Sequence, residues 1–119
     1  MSLNSEPFED IKEGNKTIEI RLFDEKRKKV YLKDTIIFTK LPNKQEKIAV
    51  EVIGFSVFSS FRDLLSNLDK SKFGHPNNIT LEEQIERQRV HYTEDEEKKY
   101  GVLGIHIKLL DRLPDGVNK

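Results

Sequence analysis

The chain has 119 residues and no cysteine, so it fits one domain with its own core and can form neither disulfides nor thiolate metal sites. Its 21 lysines and arginines balance 21 aspartates and glutamates, which excludes a protein that wraps duplex nucleic acid by net charge alone. Without a membrane-length apolar run or a signal-peptide pattern, the sequence predicts a cytoplasmic protein that makes no membrane contact.

A short helix is predicted over residues 5 to 13, with Ser5 as its cap, Pro7 in its first turn and Gly14 at its end. A strand is predicted to follow over residues 17 to 22. In this strand the apolar Ile18, Ile20 and Leu22 alternate with the polar Thr17, Glu19 and Arg21, which is the period of a half-buried strand. One face of the strand should therefore meet the core while the other presents polar groups.

A basic run (Lys26, Arg27, Lys28 and Lys29) occupies the polar connection to a second predicted strand at residues 35 to 39. The longest strand is predicted over residues 47 to 58. Its apolar residues occupy even positions before Gly54 and odd positions after it. A glycine where the alternation shifts predicts a β-bulge, which lets a small sheet curl.

Three helix starts in the second half of the chain share the spacing of a capping box. They are Ser60 with Asp63, Thr80 with Glu83, and Thr93 with Glu96. A polar loop over residues 69 to 79 separates the first two of these helices, and a closing strand is predicted over residues 102 to 110. Three phenylalanines are predicted to lie in the core: Phe55, Phe58 and Phe61.

This order of elements predicts an α+β fold, with a single domain over residues 1 to 119, a core over residues 8 to 110 and frayed ends. The strands do not alternate with helices as a doubly wound parallel sheet requires. A small β-barrel of about five to six mostly antiparallel strands, with helices covering one opening, fits better. The final strand would pair back into the sheet and protect an edge.

The segment Gly14-Asn15-Lys16-Thr17-Ile18-Glu19-Ile20-Arg21 resembles the G-x-K-x-x-E-x-R signature of ASCH (activating signal cointegrator homology) domains. Residues 33 to 38 are similar to that family's strand-opening segment, although Lys33 stands where glycine is commoner. Residues 100 to 105 are similar to its closing strand. The resemblance spans residues 8 to 110 in the same order. It implies a PUA-like β-barrel with a cleft where the first helix and first strand meet the later helices.

The resemblance also implies that this cleft binds RNA or a nucleotide-like ligand, and that Lys16, Glu19 and Arg21 line it. The residue types support such a site, because Glu19 and Arg21 leave the same face of a strand and Lys16 can swing toward them from the preceding turn. Two cations beside one carboxylate favour an ionised Glu19 and offer donors to a phosphate or carbonyl. The competing interpretation is a surface ion pair that only holds the strand, usually worth under ~1 kcal/mol.

Other residues could extend this site. Tyr92 and Tyr100 could stack on a base or pack against the barrel, and the basic run from Lys26 to Lys29 would supply further phosphate contacts. His75, His91 and His106 show no metal-ligand spacing, so neither a metal nor another cofactor is expected. The loop over residues 69 to 79 is either a lid over the cleft or a plain connector, and the sequence leaves the oligomeric state open.

The alternative function is a metal-independent hydrolase acting on a modified nucleoside or on RNA. One branch of the resembling family removes acyl groups from modified cytidine with a lysine, a threonine nucleophile and an acidic residue. Lys16 matches that lysine, but Glu19 stands at the nucleophile's place and Asn77 at the acidic position. Lys16 and Glu19 remain candidate catalytic residues, with Glu19 as a general base. A protein-interaction adaptor is a third possibility, for which a closed barrel without an evident exposed apolar stripe would offer little.

Overall fold

The computed structural model describes residues 1–115 of the chain, and the last four residues of the predicted frayed tail lie outside them. Within this range the fold is α+β, as predicted. The strands are β1 (Ser2–Leu3), β2 (Ile18–Leu22), β3 (Thr35–Lys40), β4 (Lys47–Phe58) and β5 (Val102–Leu109). The α-helices are α1 (Ser5–Lys12), α2 (Phe61–Asn67), α3 (Leu81–Arg89) and α4 (Glu94–Tyr100), and short 3₁₀ turns span Arg27–Lys29 and Lys70–Lys72.

The five strands join one curled sheet in the order β1-β3-β4-β5-β2. β1 is parallel to β3, and the other three pairings are antiparallel, which confirms the predicted mostly antiparallel sheet. The sheet forms a half-barrel whose two end strands approach each other, because Arg21 Nη2 of β2 donates to the carbonyl oxygen of Ser2 in β1 at 3.3 Å. β1 was not predicted, since two residues carry no periodic signal.

Two of the three predicted capping boxes form in the second half of the chain, and the third helix start has half of one. Thr80 and Thr93 each complete a capping box, and the Ser60 hydroxyl accepts from the backbone N–H of Asp63 at 3.1 Å. The prediction for α1 was wrong by one residue, because Asn4 holds the cap position and Ser5 is the first helical residue. Among residues 1–115, no helix is long and apolar enough to cross a bilayer.

The predicted bulge in β4 is confirmed. The register between β4 and β5 runs regularly to Val52 opposite Ile107, then resumes with Gly54 opposite His106, which leaves Ile53 as the extra residue. A residue without a counterpart bends the strand and increases its twist. The bulge therefore lies in the longest strand, where the sheet must bend to form a half-barrel.

Alternation along the strands divides the buried residues into two clusters on opposite faces of the sheet. The inner cluster packs α1 against the sheet and contains Leu3, Phe8, Ile11, Ile36, Phe38, Val50, Val52, Leu103, Ile105 and Ile107. The outer cluster packs α2 and α3 against β2 and contains Ile18, Ile20, Leu22, Phe61, Leu64, Leu65, Phe73, Ile85 and Val102. Because Ile18, Ile20 and Leu22 face the outer cluster, Glu19 and Arg21 project from the inner face.

The core prediction for Phe55 was wrong. Phe61 is fully buried, and Phe58 is partly buried against the outer cluster, but Phe55 is 37% exposed and Val57 is 52% exposed. These residues lie beyond the reach of β3, whose first residue, Thr35, is opposite Glu51. An apolar stripe is therefore exposed on the second half of β4, where the sequence predicted none.

Candidate functional site

A cleft of about 680 Å³ lies at the seam where the half-barrel fails to close. Its walls come from β1, the first turns of α1, β2, the loop after the second 3₁₀ turn, and the end of α3. Lys16, Glu19, Arg21 and Tyr92, four of the residues predicted for the site, line this cleft together. The volume is in the range of pockets that hold small ligands.

Lys16, Glu19 and Arg21 form a compact ion triad on the floor of the cleft. Lys16 Nζ lies 2.8 Å from Glu19 Oε1. Arg21 donates to Glu19 Oε2 from Nε at 3.0 Å and from Nη2 at 2.8 Å. Both carboxylate oxygens are therefore engaged, and the triad carries a net charge of one positive unit.

This triad is buried, which distinguishes it from a surface ion pair. The side chains of Lys16, Glu19 and Arg21 are 12%, 5% and 16% exposed. Burial alone would raise the pKa of Glu19, but the charges and hydrogen bonds of Lys16 and Arg21 outweigh burial, so that its pKa lies below its usual value. Burial alone would likewise lower the pKa of Arg21, yet Glu19 and Tyr92 raise it. The site therefore holds three charges in fixed positions.

The residues around Lys16 form the turn that places its side chain beside Glu19. Gly14 adopts a left-handed φ of 83°, a conformation that glycine tolerates best, and so turns the chain from α1 into β2. The backbone N–H groups of Asn15 and Lys16 then both donate to the carbonyl oxygen of Asp10. Lys16 also forms a β-bridge with Phe73, so the 69–79 loop is attached to the same turn.

One wall of the cleft is the free backbone edge of β2. Ile20 lines the cleft although its side chain packs into the outer cluster. At the two ends of β2, the Ile107 N–H donates to the carbonyl oxygen of Thr17, and the Phe23 N–H donates to the carbonyl oxygen of Gly101. The odd-numbered residues of β2 therefore form the backbone hydrogen bonds to β5. In an antiparallel ladder the intervening residues point the opposite way, and the N–H and C=O of Ile20 therefore face the cleft.

Tyr92, in the connection between α3 and α4, also lines the cleft. Its ring stacks on Phe61, with 5.7 Å between centroids, and burial raises the pKa of its phenol. The buried Glu97 anchors this connection, because its Oε1 accepts from Arg89 at 2.6 Å and its Oε2 accepts from the Phe61 N–H at 2.5 Å. Tyr92 thus lies in a connection that Glu97 ties to both α2 and α3.

Sequence analysis missed a polar group beside the triad. His75 Nδ1 lies 3.1 Å from Gln84 Nε2, and the imidazole stacks on Phe73. Burial, with the charges of Arg87 and Lys16, lowers the pKa of His75 to about 4, which keeps it neutral at physiological pH. Asp10 also lines the cleft. Its pKa is raised, mainly by burial and to a smaller extent by the negative charge of Glu6. No spacing rule links residues this far apart in the chain; only the fold brings them together.

The structure places the remaining predicted residues outside the cleft lining. Tyr100 packs against the outer cluster, with Lys99 Nζ 5.2 Å from its ring centroid. The basic run lies in and before the first 3₁₀ turn. Two of its members, Lys26 and Arg27, lie near Arg21. Burial is the main cause of the lowered pKa of the Met1 amino group, and the positive charges of Arg21, Lys26 and Arg27 lower that pKa further. Within residues 1–115, no group of three His, Asp or Glu side chains could hold a metal ion.

The comparisons with known proteins give a family and two solved structures of similar fold. The model of the ASCH domain family matches residues 1–111. The crystal structure of hypothetical protein PH0355 superposes with a TM-score of 0.79 at 36% identity, covering 92% of this chain and 96% of that one. The solution NMR structure of protein PF0455 from Pyrococcus furiosus gives a TM-score of 0.72 at 36% identity, covering 94% and 96%. No curated protein matches the chain.

Proposed function

Because this chain belongs to the ASCH domain family, which is generally linked to RNA binding, we propose that its cleft binds RNA or a nucleotide-like ligand. Lys16, Arg21 and Tyr92 would make the contacts, and Glu19 would hold Lys16 and Arg21 in position. The observation that carries this proposal is the buried triad at the floor of the cleft, whose net positive charge and fixed donors suit an anionic, hydrogen-bonding ligand.

The triad keeps donors for a ligand. Lys16 Nζ has three N–H groups, and Glu19 is its ion-pair partner. Arg21 contacts Glu19 and Ser2 through Nε and Nη2, and Tyr92 also interacts with its guanidinium, so Arg21 and Tyr92 would meet a phosphate together. The N–H and C=O of Ile20 add a neighbouring donor and acceptor, which suit the edge of a base. Lys26 and Arg27 would extend the positive field beyond Arg21 along a bound strand.

The same geometry disfavours the hydrolase alternative. A general base works best when its pKa lies near the working pH, whereas Lys16 and Arg21 hold the pKa of Glu19 below its usual value. Both of its oxygens already accept from cations. A carboxylate in this setting is suited to orienting Lys16 and Arg21, so we assign Glu19 a positioning role in ligand binding.

The test is a titration with short single-stranded RNAs and free nucleosides, including acylated cytidine, at low and high salt. Mass spectrometry of the same mixtures would detect any product. The double variant Lys16→Ala, Glu19→Ala removes a charge-balanced pair from the cleft. Its matched control is Arg62→Ala, Glu82→Ala, which removes an exposed pair joined at 2.8 Å on another surface.

We expect salt-sensitive binding that the cleft variant loses and the control keeps. The logarithm of the binding constant should fall by roughly 0.7 per phosphate contact for each tenfold rise in salt. Equal binding by both double variants would contradict the proposal, as would an absence of binding to every probe. Product formed by wild type alone would instead make the protein an enzyme.

A further inference from the structure

The second half of β4 is an unpaired sheet edge. Thr35, the first residue of β3, lies opposite Glu51, and the backbone of Lys33 and Asp34 extends this pairing only to Val52. From Gly54 to Phe58, β4 pairs with β5 on one side. Within residues 1–115, no strand lies on its other side. Such an edge is a template for a further strand.

The ladder fixes which groups this edge offers. On β5, Ile107 donates its N–H toward β2, so the even-numbered residues of β5 point toward β4. The register pairs those residues with Gly54, Ser56 and Phe58 of β4. The N–H and C=O groups of Phe55 and Val57 therefore point away from β5, toward solvent.

The edge has neither charge nor proline to block pairing. Residues 53 to 58 read Ile-Gly-Phe-Ser-Val-Phe, and natural edges are more often guarded by charged side chains or proline. Phe55 and Val57 are 37% and 52% exposed. Tyr31 and Leu32, also exposed, precede the Lys33 that bonds to Val52, so they add apolar surface where the free edge begins.

We propose that this edge pairs with a second copy of the chain, antiparallel, about a two-fold axis that passes midway between Ser56 and Ser56 of the second copy. In this register Phe55 lies opposite Val57 of the second copy, and the two residues exchange both backbone hydrogen bonds. Val57 and Phe55 of the second copy likewise exchange both backbone hydrogen bonds, which gives four intermolecular hydrogen bonds. Ser56 lies opposite its own copy at a position without backbone bonds, where side chains approach most closely. The half-barrels then share one continuous sheet.

A second copy fits this edge better than another partner because of its charge and its pattern. A two-fold axis sets each side chain against the same set from its copy, so a charged strand would repel itself. This strand is neutral. The register also pairs an aromatic side chain with a β-branched one, a favourable cross-strand combination. Neither a nucleic acid nor a charged peptide would find a complementary charge along these six residues.

The experiment uses the fact that Ser56 would lie opposite Ser56 of the second copy. Sedimentation of the full chain over a wide concentration range should show the average mass rising toward twice that of the monomer. Ser56→Lys and Ser56→Glu each place like charges opposite one another, and each variant should remain monomeric. An equimolar mixture of the two should associate again. Leu109→Lys, at an apolar position of β5 away from this edge, should associate like wild type.

Several outcomes would overturn the proposal. These are a wild type that stays monomeric, a Ser56→Lys variant that dimerises as well as wild type, and a mixture that does not associate. If the variants fail to fold, hydrogen exchange of the wild type decides the question. The Phe55 and Val57 amides should become protected as the concentration rises, and rapid exchange of both in the associated protein would contradict this interface.

Discussion

Two of the unpaired places in the half-barrel differ in chemistry. At the seam between β1 and β2, the residues beside the free backbone are charged: Glu19 is buried between Lys16 and Arg21. At the free half of β4, the corresponding side chains are Phe55 and Val57, which are uncharged and partly exposed. The sheet order gives both places open backbone groups, but only the seam carries fixed charge.

This difference explains why the two places suit different partners. Charges that are held in a buried pocket recognise polar ligands strongly, because little water competes for them. A neutral apolar edge recognises another strand through backbone hydrogen bonds and side-chain packing. The seam is accordingly the site that we propose for RNA or a nucleotide, and the β4 edge is the site that we propose for self-association.

The strongest test of this comparison is the removal of charge from the seam. Glu19→Gln keeps the shape of the side chain but leaves Lys16 and Arg21 without a counter-charge in a buried setting. Breaking a buried pair in this way typically costs about 3–5 kcal/mol. We expect a loss of about 3 kcal/mol in the free energy of unfolding, measured by urea denaturation.

Glu82→Gln provides the control, since the Arg62–Glu82 pair has the same chemistry on the surface. Solvent screens exposed pairs, so this variant should unfold close to the wild-type midpoint. If both variants lost stability equally, burial of the triad would not be the cause.

The pH dependence of the Glu19→Gln difference sharpens the same point. The pKa of Glu19 is lowered in the folded protein, so its ionised form stabilises the fold above the unfolded-state pKa of about 4.3. That contribution is lost as the pH falls through the folded-state pKa. The gap in unfolding free energy between wild type and variant should therefore be full at neutral pH and shrink in strong acid. A difference in unfolding free energy that stays constant into strong acid would contradict the conclusion that ionised Glu19 stabilises the fold.

A second test moves the wall of the seam without touching the triad. Gly74 has a φ of 74°, and a Cβ there would lie 2.9 Å from Asp10 Oδ2 and 3.1 Å from its Cβ. Gly14 has a similar φ of 83°, but a Cβ there would meet nothing within 4 Å. We expect Gly14→Ala to cost about 1 kcal/mol through backbone strain alone.

Gly74→Ala should cost roughly twice as much, because strain and the clash with Asp10 add. Thermal denaturation of both variants would measure the difference. Equal losses would mean that Asp10 moves aside freely and that the wall of the cleft is soft.

Sequence reasoning recovered the parts of the molecule whose signals are local. The helix starts, the strand β2 and the bulge at Gly54 each depend on signals that lie within a few residues of the sequence, and each was predicted. The grouping of Lys16, Glu19 and Arg21 was accessible for the same reason. His75 and Gln84 were missed because their contact depends on how the 69–79 loop packs against α3. Phe55 was wrongly assigned to the core because alternation shows which side a residue faces, whereas coverage depends on the length of β3.

The smallest expected effect is at the β4 edge, and it completes the comparison. Val57→Lys places a charge on a side chain that is 52% exposed, where water can solvate it. Surface substitutions of this kind usually change stability by about 0.5 kcal/mol or less. Urea denaturation at low concentration, where association is negligible, should therefore give nearly the wild-type midpoint. A loss comparable to that of Glu19→Gln would show that the β4 edge is covered, and the contrast between the two places would fail. A near-neutral result would mean that this edge is open to a partner strand, whereas the seam depends on its buried charges.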